Sequence, residues 1–447
     1  MFDFADYEYD FRTNRFVVAG EAMVLHCHHY NCFVQRSIQD AEYIDSVPIL
    51  VGAAAEMAFA QLTNLLPRTA DIPARKATVE ALYRACGLGL IDLSGVTDRG
   101  GEVRTRSTHY SIGWKEKFGL SHAPVAFFST GFLAGALAAV YGLPLSDVQA
   151  RQSACISTGA EKDVFVLGRG PANFTIFPPR QNPVLVPVGN DAEPATPVDR
   201  EAVTRAVAGM PLPVSAEGLI PLFGLYITRL YADYYNRISF AFEREMTALA
   251  GRQGVDAAAN LFIEAGHVCA FFTMGGIMTS PEWDALVLPM LKTREDWVHG
   301  IVAWWNACGY GVCKVVEVSP TRLTVRLYND YESVGYRRMY GTADHGVCYL
   351  VTGGFAGIMN LIYLGNIDRK PDLTREFYNR LFKGGARLPG ADGGLPGDGR
   401  SLYRDPRRTG RAGSGRKAAR RRPGLGLRRD RTCDDQSGRE GPRLPAP

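Results

Sequence analysis

Apolar and β-branched residues alternate with polar ones in two parts of the chain, and this period predicts β-strands. The clearest run spans residues 311–328, where Ser319-Pro320-Thr321 separates two alternating segments. Residues 90–105 have the same form, with a turn expected near 98–101. Each run therefore predicts a β-hairpin.

Helical segments precede both hairpins. Apolar residues recur at helical spacing within residues 20–65, for instance at 51–62, and again at 234–246 and 257–272. The order of elements is thus a helical lead-in followed by a hairpin, twice. The sequence predicts an α+β fold.

A long uncharged stretch follows each predicted hairpin, at residues 123–146 and 346–367. Each stretch is long enough to cross a bilayer. Pro124 and Asn360 lie within them, and neither stretch has a basic flank. We therefore favour a buried helix whose glycines pack against the sheet over stable membrane insertion.

The second half of the chain repeats part of the first. Residues 85–141 recur without a gap at 307–363, and 16 of the 57 positions are identical. The identities include an Ala-Cys-Gly turn and the Thr-Gly-x-x-Ala-Gly motif of the uncharged stretches. We expect two similar modules, 1–170 and 217–383, related by a pseudo-twofold axis and joined by a Pro-rich linker at 171–216.

The end of the chain differs in composition from the rest. Residues 384–447 hold 16 Lys and Arg against 7 Asp and Glu, a surplus of nine, so the net charge of +4 becomes −5 for residues 1–383. The tail lacks any hydrophobic period, which predicts disorder. It is either a basic arm that binds nucleic acid or, as we favour, the product of a reading-frame shift. The mildly acidic remainder predicts no nucleic-acid partner.

Cysteine usage and the first residues indicate a compartment. Nine cysteines are spread along the chain with no small disulfide framework, and the first twenty residues are acidic and aromatic rather than basic and apolar. These features predict reduced thiols and a cytoplasmic protein. A homodimer is a further possibility.

Several segments of the first module resemble a known family. The hairpin, the glycine-rich stretch 125–142, Gln152-Ser-Ala-Cys155 and Gly159-Ala-Glu-Lys-Asp163 are similar to the 4-vinyl reductase domain. This domain occurs in predicted hydrocarbon-binding proteins, in a protein linked to divinyl (proto)chlorophyllide reduction, and in phenol-responsive sensor regions. The resemblance implies a pocket for a small hydrophobic or aromatic molecule.

The resemblance also implies a tetrahedral zinc site. Its ligand positions correspond in the first module to Ala126 or its neighbour, Gln152, Cys155 and Asp163, of which Cys155 and Asp163 can bind zinc. In the second module Cys348 takes the first position. Glu376 is the nearby candidate for a later one.

A second candidate metal site is the string His26-Cys27-His28-His29-Tyr30-Asn31-Cys32. On a helix, His28 and His29 both share a face with Cys32, which offers nitrogen and sulfur to zinc or iron. On a strand, His26 and His28 share a face instead. These residues either bind a metal or line a ligand crevice.

Aromatic residues are dense in both modules and supply the candidate ligand contacts. Most aromatic residues belong to a core, and the remainder can line a pocket for a flat ligand. The candidates are Trp114, Phe127, Phe128, Trp304, Trp305, Tyr336 and Tyr349. The chain has no nucleotide-binding motif and no recognised catalytic motif, so no catalytic residue is assigned.

Three functions follow, in order of preference. The first is binding of a small hydrophobic or aromatic molecule, with or without a metal. The second is an enzyme or accessory protein, reductase-like or metal-dependent, in tetrapyrrole or aromatic-compound metabolism. The third is a ligand sensor, which is disfavoured because no ATPase or DNA-binding motif is attached.

Overall fold

The computed structural model describes residues 2–67 and 70–383, so the predicted disordered tail at 384–447 lies outside the described residues. The helices are α1 His28–Gln39, α2 Ser46–Leu65, α3 Ile72–Ala85, α4 His109–Phe118, α5 Phe127–Tyr141, α6 Arg200–Ala208, α7 Ala232–Ala250, α8 Arg252–Cys269, α9 Gly275–Thr279, α10 Pro281–Leu286, α11 Arg294–Asn306, α12 Tyr331–Tyr340, α13 Tyr349–Tyr363 and α14 Arg375–Tyr378. The strands are β1 Tyr9–Asp10, β2 Arg15–Val18, β3 Glu21–Cys27, β4 Gly100–Thr105, β5 Val148–Ala154, β6 Asp163–Arg169, β7 Ile220–Leu222, β8 Leu225–Tyr231, β9 Val312–Ser319 and β10 Arg322–Tyr328. The α+β prediction is confirmed.

The order of elements recurs along the chain. In the alignment of 85–141 with 307–363, helices α4 and α5 have the same bounds as α12 and α13. The first residue of β4 is aligned with the first residue of β10. Strand β3 and the helix after it likewise have a counterpart in β8 and α7. Each half therefore contains a strand that leads into helices, a small sheet, and a glycine-containing helix. The pseudo-twofold relation of the two modules stays a prediction.

The two halves meet through a central antiparallel sheet of order β1-β2-β3-β8-β7. In the β3–β8 pair, Leu25 lies opposite Arg229. The Arg229 N–H donates to the Cys86 carbonyl at 3.0 Å, and the Leu25 N–H donates to the Cys308 carbonyl at 3.0 Å. The central sheet is thus hydrogen-bonded to the turn at Cys86 on one side and to the turn at Cys308 on the other.

Only one of the two predicted hairpins forms. Strands β9 and β10 pair around Pro320-Thr321, with Arg322 opposite Ser319. In the first half β4 pairs instead with β6, which also pairs with β5. Residues 90–96 form no strand, and Asp92 and Ser94 instead form a local turn contact. The Asp92 carboxylate accepts the Ser94 N–H at 2.8 Å.

The glycines of the uncharged stretches face a helix, not the sheet as predicted. A Cβ atom at Gly131 would lie 2.1 Å from the Val51 carbonyl oxygen of α2, and one at Gly353 would lie 1.9 Å from the Ile263 carbonyl oxygen of α8. Such distances are impossible for a real Cβ, so the glycines set the closeness of the α2–α5 and α8–α13 pairs.

Replacing Gly131 or Gly353 by alanine is expected to destabilise the protein by about 1–3 kcal/mol, because the added methyl group forces two packed helices apart. Urea unfolding followed by circular dichroism measures this. Gly346→Ala is the matched control, since nothing lies within 4 Å of its Cβ position. An equal loss of stability in the control would contradict the close-packing explanation.

Two helical segments are long and apolar enough to span a membrane, Ser46–Leu65 and Arg252–Thr279. In the structure 67% and 72% of their apolar windows are buried inside the protein. A core helix passes the same test of length and composition, so these segments are weak evidence for a membrane. The stretches discussed above form only the helices Phe127–Tyr141 and Tyr349–Tyr363, which are shorter than a typical span.

The segment between the halves, predicted as a linker, is attached to both of them. We call residues 171–199 the strap. Its Arg180 reaches Glu21 of β3 and Asp233 of α7, each at 2.6 Å, and these three side chains are at most 7% exposed. Further along, the Val186 N–H donates to the Asn329 side chain at 2.7 Å. The strap therefore fastens the first half to the second.

Candidate functional site

A buried group of histidines and tyrosines lies where the two halves meet. His26, at the end of β3, is fully buried, and its ring lies 4.1 Å from that of Tyr30, 4.6 Å from Tyr235 and 5.0 Å from Tyr310. We call this group the histidine–tyrosine cluster. Its members are His26, Tyr30, Asn31, His109, Thr228, Tyr235, Tyr310 and Tyr331.

Asn31 connects the polar atoms of the cluster. Its amide nitrogen lies 2.9 Å from His109 Nε2 and donates to Thr228 Oγ1 at 3.0 Å. Its carbonyl oxygen accepts from the Tyr235 hydroxyl at 2.7 Å. Asn31 occupies this position because the chain turns from β3 into α1 at His28, which points the first turn of α1 toward β8 and α7.

Three ring nitrogens of buried histidines lack a hydrogen-bond partner among the described residues. They are Nε2 of His26, Nε2 of His28 and Nδ1 of His109. Burial lowers the pKa of His26 and of His109 well below the ordinary value, and it lowers the pKa of His28 to about 3. All three rings are therefore neutral at pH 7, each with one N–H and one lone pair.

The neighbouring hydrogen bonds assign the tautomers. His28 Nδ1 accepts the Tyr226 N–H at 3.1 Å, so its proton is on Nε2. His109 Nε2 faces the donating amide of Asn31, so its proton is on Nδ1. Tyr310 donates its proton to the Leu25 carbonyl, so its oxygen accepts from His26 Nδ1 at 3.3 Å. The cluster is left with an acceptor at His26 Nε2 and a donor at His109 Nδ1, and His28 Nε2 beside it is a second donor.

The four metal ligands predicted around His26 have separate partners. The His29 ring stacks on Phe272 with centroids 4.0 Å apart, and Cys32 Sγ lies 3.9 Å from the Tyr110 carbonyl. Across residues 2–67 and 70–383, no three His, Cys, Asp or Glu side chains come close enough to hold an ion. These residues as placed do not fit a metal, and zinc or iron at His26, His28, His29 and Cys32 stays a prediction.

The residues at the zinc positions implied by the 4-vinyl reductase resemblance lie close together. They form a hydrogen-bonded group. Buried Asp163 accepts from Ser111 Oγ, Gln152 Nε2 and the Ile156 N–H, each at 2.9 Å. Gln152 Oε1 accepts the Ala126 N–H at 2.9 Å. A lone thiol, Cys155, lies 3.3 Å from Ser111 Oγ. Donors already surround the carboxylate, so this group does not fit tetrahedral zinc.

In the second half, Cys348 precedes α13 as Ala126 precedes α5. Its Sγ lies 3.0 Å from Ser333 Oγ, the counterpart of Ser111. Glu376, proposed as a later ligand, is exposed on α14. These positions do not fit a metal in the described residues either.

The seven predicted aromatic contacts are divided among several packed groups. Trp305 contacts Tyr310 of the cluster, with ring centroids 4.7 Å apart. Phe128 contacts Tyr234, the neighbour of the cluster residue Tyr235 on α7, with ring centroids 4.9 Å apart. The others pack elsewhere: Trp114 and Phe127 in the first half, Trp304 against Phe223, Tyr336 against Phe240, and Tyr349 by a hydrogen bond to Glu243. The structure does not bring the seven together.

Sequence reasoning missed part of the cluster. His109, Thr228 and Tyr235 come from segments far from His26 along the chain. One signal was present, because Tyr30 recurs as Tyr234 when β3 is aligned with β8. Comparing the two lead-ins would have drawn attention to this turn of helix.

Two small cavities in the described part of the chain lie outside the cluster. One, of about 20 Å³, is bordered by Met23, Leu25, Arg229 and Cys308, beside the central sheet. The other, of about 10 Å³, lies against Leu93. Such volumes hold about one water molecule at most, so neither accommodates an aromatic ring.

No family model and no curated protein matches this chain. Among solved structures, it is similar to the phenol-responsive sensory domain of the transcription activator PoxR with phenol, at 14% sequence identity. The match covers 35% of this chain and 80% of that chain, with a TM-score of 0.30. A TM-score this low does not define a shared fold. Membership of the 4-vinyl reductase family stays a prediction.

Proposed function

We propose that the protein binds a small aromatic molecule carrying a hydroxyl group at the histidine–tyrosine cluster. The observation that carries the proposal is the set of buried imidazole nitrogens without partners at His26, His28 and His109. Buried polar atoms in native proteins are almost always hydrogen-bonded, to the protein, to water or to a ligand. A bound hydroxyl satisfies such an atom.

The chemistry of the cluster selects a neutral ligand. His26 Nε2 is an acceptor, so a phenolic O–H donates to it. The ligand ring packs among Tyr30, Tyr235 and Tyr310, which surround His26. A carboxylate is disfavoured, because burial lowers the pKa of these imidazoles and so leaves no positive charge to compensate an anion.

Entry requires the cluster to open, because its side chains are packed and fully buried. His26 and Asn31 belong to the first half, and Tyr235 and Tyr310 to the second. Opening therefore involves the contact between the halves, and we expect association well below the diffusion limit. We also propose that this site corresponds to the ligand pocket of the 4-vinyl reductase domain.

The test is a comparison of phenol with toluene, which has a similar size but no hydroxyl. We expect phenol to bind roughly five- to tenfold more tightly, because a hydrogen bond to a buried nitrogen contributes about 1–1.5 kcal/mol. Isothermal titration calorimetry of the full chain measures both affinities. In a His26→Phe variant the preference for phenol should disappear while toluene still binds.

His122→Ala is the matched control, since His122 is an exposed histidine outside the cluster. It should retain the preference for phenol. Equal affinities of wild type and His26→Phe for phenol would overturn the proposal. So would an absence of phenol binding to wild-type protein at millimolar concentration.

A further inference from the structure

The half-buried Arg229 of β8 carries a guanidinium group without a countercharge. Its Cζ atom lies 4.6 Å from the ring centroid of Phe16 and 4.9 Å from that of Phe4. Within residues 2–67 and 70–383, no carboxylate lies within 4 Å of the group and no acceptor takes a hydrogen bond from it. The ring faces attract the positive charge, but the N–H donors are left without a partner in the protein.

The cavity of about 20 Å³ beside the central sheet is bordered by this same arginine. Met23 and Leu25 border it from β3 in the first half, and Arg229 and Cys308 border it from the second half. The described residues that line it include no aspartate and no glutamate. An open space of about the size of a water molecule therefore lies beside an unpaired cation, where the two halves meet.

The thiols near Arg229 supply no negative charge. Cys86 and Cys308 are the ionisable groups that interact with the guanidinium group, and burial raises the pKa of each thiol to about 12. Both thiols are therefore neutral at pH 7, whereas an arginine stays protonated. Burial also lowers the pKa of Arg229, which reflects the cost of shielding its charge from water. A shielded charge without a partner is unfavourable, so an anion from solution would stabilise this group.

We propose that the cavity beside Arg229 binds one chloride ion. Chloride accepts the N–H donors of the guanidinium group, and it is close to a water molecule in size, so it matches the volume of the cavity. A water molecule would accept the same hydrogen bonds but leave the charge unpaired. Acetate and sulfate have several heavy atoms and are too large. The ion contacts both halves and stabilises their association, and it does not depend on the phenol site proposed above.

The test follows urea unfolding of the full-length protein while sodium chloride replaces sodium sulfate at constant ionic strength. Sulfate strengthens apolar burial in proteins generally, so a nonspecific salt effect lowers the unfolding midpoint on this exchange. A chloride site raises the midpoint instead, because an ion that binds only the folded protein stabilises it. With a dissociation constant on the order of 10 mM, about 100 mM chloride raises the folding equilibrium constant about tenfold.

Arg229→Leu should abolish the stabilisation by chloride, because it removes the positive charge that holds the ion. Leucine already occupies the matched position of β3, at Leu25, so this substitution suits the strand. Arg151→Leu is the matched control, since Arg151 is an exposed arginine on β5. The control should retain the chloride response of the wild-type protein.

A series of anions with the wild-type protein tests the size of the site. Sodium bromide should stabilise the protein as chloride does, whereas sodium acetate should not, because acetate exceeds the cavity. A wild-type midpoint that fails to rise in chloride would rule out the ion and leave water in the cavity. Equal stabilisation by acetate, or an unchanged chloride response in Arg229→Leu, would also rule it out. The anion series needs no variant, so a misfolded variant cannot obscure the result.

Discussion

Acidification from pH 7.5 to pH 5 should lower the free energy of unfolding by up to about 6 kcal/mol through three buried histidines. His26, His28 and His109 have lowered pKa values in the folded protein, whereas an unfolded histidine titrates near 6.5. The unfolded chain therefore binds more protons below pH 6.5. Stability is lost as the pH falls through this value and, for His28, the loss continues toward about pH 3.

Urea unfolding at a series of pH values measures this effect. Each histidine should contribute a slope of up to about 1.2 kcal/mol per pH unit between pH 6 and pH 5. His26→Phe should remove one such contribution, and His122→Ala, at an exposed position, is the control variant. A slope that is the same in wild type and His26→Phe would contradict a buried neutral His26.

Replacing Arg180 by alanine should cost about 3–5 kcal/mol of stability, because it leaves the buried Glu21 carboxylate without a countercharge. Asp233 keeps its contact with Arg338, and Glu56 keeps its contact with Arg237. Arg180 contacts Glu21 and Asp233 at 2.6 Å and Glu56 at 3.3 Å. The contacts with Glu21 and Asp233 are almost fully shielded from water, so solvent does little to screen them. The loss should appear in chemical unfolding at pH 7.

Arg104→Ala is the matched control, because Arg104 and Glu102 form an ion pair at 2.7 Å with side chains 61% and 41% exposed. Exposed pairs contribute about 1 kcal/mol or less. Adding Glu21→Gln to Arg180→Ala should restore part of the stability, since one uncompensated charge is removed. A loss in Arg180→Ala no larger than that of the exposed control would contradict a fastening role for the strap.

Local sequence patterns predicted which segments form helices and strands better than they predicted which strands pair with each other. Alternation around Pro320-Thr321 identified a hairpin that forms as expected, because its register depends on neighbouring residues. The same reasoning failed at residues 90–96. Strand β4 pairs with β6, which follows two intervening helices, and no local period encodes that choice.

The candidate site shows the same limit. The sequence indicated the segment around His26 as a candidate site. Its predicted metal ligands, however, share a face only if the segment is one continuous helix or one continuous strand. The chain instead changes from β3 to α1 between Cys27 and His28, so His26 and His28 face different neighbours. The partners that surround His26, such as Tyr235 and Tyr310, depend on how the halves associate.

The Leu25–Arg229 pair at the centre of the β3–β8 ladder bears on how many ligands one molecule can bind. Two identical subunits would have to place the same side chain at both positions, whereas one continuous chain carries leucine at one and arginine at the other. The same freedom applies nearby, where His26 is matched by Leu230 and Asn31 by Tyr235 when the two lead-ins are aligned. The polar atoms of the cluster therefore have no like counterparts at the matched positions, and for the proposed ligand we expect one bound molecule per chain.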